Sequence, residues 1–171
     1  IRINHLDYAG ESCNVAIGSE RGVVHFSSDM DVGNRALMPG ERRAGELVVP
    51  VTTLDELLRD RSPALIKIDV EGYETAVLQG ARHTLAGPSL HSVIMEVNGS
   101  GEKYGFDESV ILQTMADFGF AGYAYSPWRR EIAALSSGQA HQDNIIFIRQ
   151  PDLVRDRLKS APSIAVHGKQ L

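Results

Sequence analysis

The chain has 171 residues, 43% of them hydrophobic and 23% charged, with a formal net charge of −5. That length suits one domain around a single core, and the acidic balance argues against nonspecific nucleic-acid binding, which needs a basic surface. No run approaches the ~20 consecutive apolar residues of a membrane span. Cys13 is the one cysteine, so neither an intrachain disulfide nor a cysteine metal cluster can form. A reduced, cytoplasmic setting is expected, with Cys13 as a small buried residue rather than a nucleophile. The chain opens on Ile1 in mid-pattern, which points to a fragment whose amino-terminal part lies upstream.

Ser12 to Ile17 is predicted as a strand and Val23 to Phe26 as a second, with the turn Gly18-Ser19-Glu20-Arg21-Gly22 between them suggesting a hairpin. Ser27 to Gly45 is polar and aperiodic and reads as a loop. Its Arg35, Arg42 and Arg43 can meet an anionic substrate, although a solvated surface is the default for such charges. Glu46 to Val51 is a short strand. Thr53-Leu54-Asp55-Glu56 has capping-box spacing and opens a short helix.

Leu65-Ile66-Lys67-Ile68-Asp69-Val70-Glu71-Gly72 is the centre of the pattern. Alternation places Leu65, Lys67 and Asp69 on one face of a strand and Ile66, Ile68 and Val70 on the other. Lys67 and Asp69 are then roughly 6.6 Å apart along the strand, at ~3.3 Å per residue. A helix follows from Tyr73 to Leu85, with Ala76, Val77, Ala81 and Leu85 at helical spacing and Gly87-Pro88 as its stop. Strand, acidic turn and helix form the layout of a doubly wound sheet, whose ligands sit beyond the carboxyl ends of the strands. The bland alternative makes Asp69 a helix cap and Lys67 a solvated rim residue.

Ser92 to Val97 is the next strand and carries Glu96 near its end, followed by Asn98. Gly99-Ser100-Gly101 misses a dinucleotide fingerprint, because the third glycine falls one position late. A helix runs from about Asp107, its N-cap, to Phe118. Phe120 to Tyr125 is a strand, Ser126 to His141 a long connection containing Trp128, and Asn144 to Ile148 a strand antiparallel to the previous one. Pro151 to Ser160 is a helix that starts on proline, and the tail beyond Ala161 is expected to be poorly ordered. The six histidines show no metal-ligand spacing, and neither a Gly-x-Ser-x-Gly elbow nor a phosphate-cradling Gly-x-x-x-x-Gly-Lys is present.

Four blocks in order carry a resemblance: 16–26, 51–57, 66–81 with its Ile-Asp-Val-Glu-Gly core, and 94–97. Together they resemble the carboxy-terminal part of the FkbM family of S-adenosylmethionine-dependent methyltransferases. The resemblance implies a Rossmann-like class I methyltransferase α/β sheet, mostly parallel, with an antiparallel last hairpin and incomplete at its amino-terminal end. Residues 1–150 would form the partial methyltransferase domain and 151–171 a terminal helix and tail. The 12–17 strand would be the third of the sheet, 65–69 the fourth and 92–97 the fifth.

The family's glycine-rich cofactor loop and the acid after its second strand have no counterpart here, so weak or absent cofactor binding by this chain is expected. The implied reaction is O-methylation of a sugar, lipid or polyketide-type acceptor. Asp69 would be the base, assisted by Glu71 and Glu96. Asn14, Ala16 and Asp69 would lie near the cofactor, S-adenosyl-L-methionine, and Asn98 and Trp128 near the acceptor. A divalent metal on Asp69, Glu96 and Asn98 ranks behind a metal-free site. The competing reading is a non-catalytic scaffold with the same sheet, binding a partner or a glycan.

Overall fold

Side-chain alternation in β4 (Leu65–Ile68) turns Ile66 and Ile68 inward and leaves Leu65 and Lys67 exposed, as the sequence pattern requires. The computed structural model describes residues 9–29, 34–38, 40–136, 144–166 and 169–170. In chain order these form β1 (Ala16–Ile17), β2 (Gly22–Phe26), β3 (Leu47–Thr52), α1 (Leu54–Leu57), β4, α2 (Glu74–Gln79), α3 (Arg82–Ala86) and β5 (Ser92–Glu96). A 3-10 turn at Ser100–Tyr104 leads to α4 (Glu108–Asp117). Then come β6 (Ala121–Ser126), β7 (Glu131–Ala134), β8 (Asn144–Ile148) and α5 (Pro151–Ser160). Two-residue strands β9 (Ala165–Val166) and β10 (Lys169–Gln170) pair in the tail, where no regular structure is predicted.

The main sheet has the order β4-β5-β8-β6-β7. Only β4–β5 is a parallel pairing, and the other three are antiparallel. The expected mostly parallel sheet is therefore replaced by a mixed one. The cause is β8, which enters between β5 and β6 and runs against both. β4, β5 and β6 share a direction, yet only β4 and β5 touch. The predicted antiparallel relation of β6 and β8 is present, through Ala121↔Ile148. β7 falls inside the predicted long connection. It closes a hairpin with β6 through a turn at Pro127–Arg130, and its four residues carry too little alternation to be read as a strand.

The amino-terminal strands form a separate sheet of order β1-β3-β2. Neither the predicted β1–β2 hairpin nor a place for β1 in the main sheet is found, because β3 takes both neighbours, β1 in parallel and β2 antiparallel. Among the described residues β4 is thus the edge of the main sheet.

Helices lie on both faces of that sheet. One face buries Ile68, Val93, Met95, Ile145 and Phe147 against Val77, Leu85, Ile111 and Met115 of α2, α3 and α4. The other face buries Tyr123, Ile132 and Ile148 against Val154 and Leu158 of α5. The single predicted helix after the acidic turn is broken in two at Gly80-Ala81. A Cβ on Gly80 would sit 2.1 Å from the Gly18 carbonyl oxygen, so the two segments can pass only at a glycine. Asp55 of α1 then caps α3, accepting from the His83 and Thr84 amides at 2.9 and 2.7 Å. Cys13, expected inside, is exposed on the irregular segment before β1.

Candidate active site

The register of β4 against β5 builds the site. Ile68 is opposite Met95, so one further residue brings Asp69 opposite Glu96, about 4.8 Å away across the strand spacing and on the same face. Asp69, Glu71 and Glu96 each present a carboxylate oxygen within 4.8 Å of the other two. The three acids picked from the sequence thus meet at one point. Lys67 donates a hydrogen bond to Asp69 from the same face, as alternation predicted.

The turn that carries two of these acids has an unusual backbone. Glu71 has φ +56° and Gly72 φ +98°. The left-handed region is costly for a side chain other than glycine's, so Glu71 is held there by its surroundings. Gly72 cannot be replaced without movement, since a Cβ would sit 2.4 Å from the Ser100 carbonyl oxygen. This close approach locks the turn after β4 onto the turn after β5. Glu74, only 3% exposed, holds the same turn from below. Its Oε1 accepts from the amides of Val70 and Gly72, both at 3.3 Å. Across the rim, Asn98 donates to Glu96 Oε1 at 2.9 Å and accepts from the Ser100 amide at 3.0 Å. Glu108 of α4 accepts from the Gly99 amide at 3.0 Å.

A cleft of about 310 Å³ opens beside the acids, between the two sheets. Asp69 and Glu71 lie at its mouth, and Ala16, Ile17, Phe26 and Val51 supply apolar walls. Arg35 reaches it too, already paired with Glu41 at 3.0 Å. Glu41 accepts from the Met38 amide as well, and these contacts pull its carboxyl down to about 2. Three converging carboxylates attract positive charge. Their oxygens can take up a proton from a hydroxyl, face a cationic ligand or hold a hard divalent cation.

The sequence profile of the Methyltransferase FkbM domain matches residues 3–121, most of the chain. The chain belongs to the FkbM methyltransferase family. The acid-bearing stretch from Ile66 to Val97 lies within the FkbM match, as does the whole of the small sheet. Among solved structures, the crystal structure of Methyltransferase FkbM from Methylobacillus flagellatus KT is similar. It shares 14% identity at a TM-score of 0.47, over 86% of this chain and 30% of that one. The chain therefore spans under a third of that structure's length, and the family assignment rests on the domain match. No curated protein sequence matches the chain.

The remaining predicted positions of this FkbM domain scatter. Ala16 lines the cleft, but Asn14, two residues earlier, is exposed and outside the lining. Asn98 stands beside Glu96. Trp128, 62% exposed, sits in the β6–β7 turn. That turn shares the rim with Asp69, but β5 and β8 intervene between β4 and β6. At about 4.8 Å per strand, the end of β6 is roughly 14 Å from that of β4. Sequence reasoning missed Glu74, and it named Arg35 as a possible anion contact with solvated surface as the default. A buried glutamate one residue into a helix looks like any first-turn acid, and Arg35 looks like surface charge. His5, His141 and His167 lie outside the described residues, and no helix among those described is long and apolar enough to cross a membrane.

Proposed function

We propose that this chain is the acceptor-facing part of an S-adenosylmethionine-dependent O-methyltransferase, with Asp69 as the base. The observation that carries the reading is the meeting of Asp69, Glu71 and Glu96, of which Asp69 and Glu71 line a cleft walled by Ala16 and its apolar neighbours. The residues fit the cofactor's cationic end: apolar walls suit a flat ring, and the carboxylates suit a positively charged sulfur. When bound, S-adenosylmethionine supplies a methyl group on that sulfur. Asp69 accepts the proton of the acceptor hydroxyl as its oxygen attacks, a role that requires hydrogen-bond reach. Lys67 orients the Asp69 carboxylate by its hydrogen bond. Glu96, fixed by Asn98, faces the same hydroxyl from β5. Much of the rate then comes from holding donor and acceptor in line.

A second reading has one specific support. The same three oxygens are spaced for one cation, and a divalent metal there would orient the hydroxyl through oxygen ligands.

The test is transfer of labelled methyl from S-adenosylmethionine to a panel of hydroxylated acceptors by the chain extended upstream to carry the family's cofactor loop. Asp69→Asn should lower turnover by about 100-fold or more, the scale of a lost general base, with an unchanged circular dichroism spectrum. Turnover undiminished in that variant removes Asp69 from the chemistry. A chelator that abolishes wild-type transfer, with recovery on adding Mg²⁺, selects the metal reading.

A further inference from the structure

A second cavity, of about 330 Å³, adjoins the acid cleft at Tyr73. Val24 and Tyr73 border both spaces. Its volume is within the range of small-molecule sites. One wall is aromatic: Tyr73 meets Tyr104 edge-on at 5.3 Å and Phe106 at 6.0 Å, and Tyr104 and Phe106 are 6.4 Å apart. The Tyr104 hydroxyl donates to the Ala36 carbonyl at 2.8 Å, which fastens this wall to the loop opposite. Such edge-to-face clusters are rigid and keep their ring surfaces presented at low entropic cost.

The other wall is polar but already neutralised. His25 lies 2.9 Å from Glu46, Arg42 lies 3.2 Å from the same carboxylate, and Glu41 is paired with Arg35 and Arg43. A charged ligand would have to break one of these pairs. A neutral ligand need only share their outward lone pairs and N–H groups. A long lipid chain would need a longer apolar groove than this short space with polar groups on one side. A neutral sugar ring fits both walls, with one C–H face apolar and a rim of hydroxyls to donate and accept.

We infer that this cavity is the acceptor subsite and that the acceptor presents a neutral hexopyranose ring. The ring stacks on the Tyr73–Tyr104–Phe106 wall and its hydroxyls meet His25 and Arg42, while Val24 and Tyr73, shared with the acid cleft, place the rest of the acceptor beside the acids. This rests on the methyltransferase reading for the word acceptor, but binding itself needs neither cofactor nor turnover.

The experiment is an NMR titration of the labelled protein with methyl glucoside, methyl galactoside and methyl mannoside, alongside phenol and 1-octanol. At least one glycoside should give saturable shifts at Met38, Tyr104 and Phe106, at an affinity at least tenfold above those of phenol and octanol. Phe106→Leu, which keeps an apolar side chain but removes the ring, should weaken that binding about fivefold to tenfold, the scale of one aromatic contact. No saturable shift with any of the three glycosides, phenol or octanol binding as tightly, or binding indifferent to Phe106→Leu would each overturn the inference. Glycoside binding, with no methyl transfer even by a chain extended upstream to carry the family's cofactor loop, would defeat the methyltransferase reading and leave the sugar site standing. Transfer to a non-sugar hydroxyl, with no glycoside bound, would do the reverse.

Discussion

The two sheets of this domain are held together by different forces. The five-stranded sheet is sealed by apolar side chains on both faces, with Val93 and Met95 of β5 wholly buried. The three-stranded sheet exposes Val23, Leu47 and Val48, and ion pairs gather around it: Arg21 with Glu56, Arg42 and His25 with Glu46, and Arg35 and Arg43 with Glu41. Burial is stabilising in proportion to area, whereas ion pairs at or near the surface, some of them half-buried like Arg35–Glu41, contribute less. Stability should therefore be concentrated in the large sheet, and the acids stand at its rim. The cleft beside them takes one wall from the weaker sheet, which leaves that wall freer to adjust.

Substitutions can break or sharpen this contrast. The largest effect is expected deep in the main core. Leu85→Ala should cost about 2–5 kcal/mol of unfolding free energy, as for other buried leucines truncated to alanine, read by urea denaturation. Next comes the rim of the same sheet. Glu74→Ala strands the Val70 and Gly72 amides in a buried turn and should cost about 2–3 kcal/mol, while Glu74→Gln, which keeps an acceptor oxygen, should recover most of the loss.

Asp55→Ala, at the seam where α1 caps α3, should cost about 1 kcal/mol. Burial by itself pushes the Asp55 carboxyl up, but hydrogen bonds from Thr84 and the two amides outweigh it and hold the group below its ordinary value.

The small sheet should respond least. Glu41 sits at about 2 in the folded protein against an ordinary 4.5. A depressed carboxyl stabilises above its unfolded value and loses that contribution as pH falls through the folded one. The stability contributed by Glu41 should therefore be complete above about pH 4.5, fall between 4.5 and 2, and be gone below. The Met38 amide shift, followed by NMR, should titrate with a midpoint near 2. Finally, Arg21→Ala should leave the denaturation midpoint nearly unchanged, since the Arg21 side chain of its pair with Glu56 stands largely in solvent. A large loss from Arg21→Ala combined with a small one from Leu85→Ala would invert the whole contrast.

Much of this was legible in the residues, because local rules decide it. The Thr53 cap accepts from the Glu56 amide at 3.1 Å, the Asp107 cap from the Ser109 amide at 2.8 Å, and proline stands first in α5. Each depends on neighbours a few positions apart. Alternation in β4 fixed which side Lys67 and Asp69 share. Pairing was less legible. β1 and β2 have the spacing of a hairpin, yet both join β3. Nothing local to residues 12–26 records that a later strand competes for their edges. The need for glycine at position 80 was equally silent, since what a Cβ there would meet is the Gly18 carbonyl, 62 positions away in the chain.

The candidate site divides along the same line. The sequence by itself determined that acids end β4 and β5 and that a glycine follows the second acid. Only the tertiary structure decided that these acids meet. That meeting needs the parallel register of β4 on β5 and the Gly72–Ser100 approach, and it needs the buried Glu74 carboxylate gripping the turn. It also decided that Trp128 stands across the rim, by inserting β8 between strands that share a direction. Local chemistry is written in short spacings, whereas register and strand order come from contacts between segments far apart in the chain.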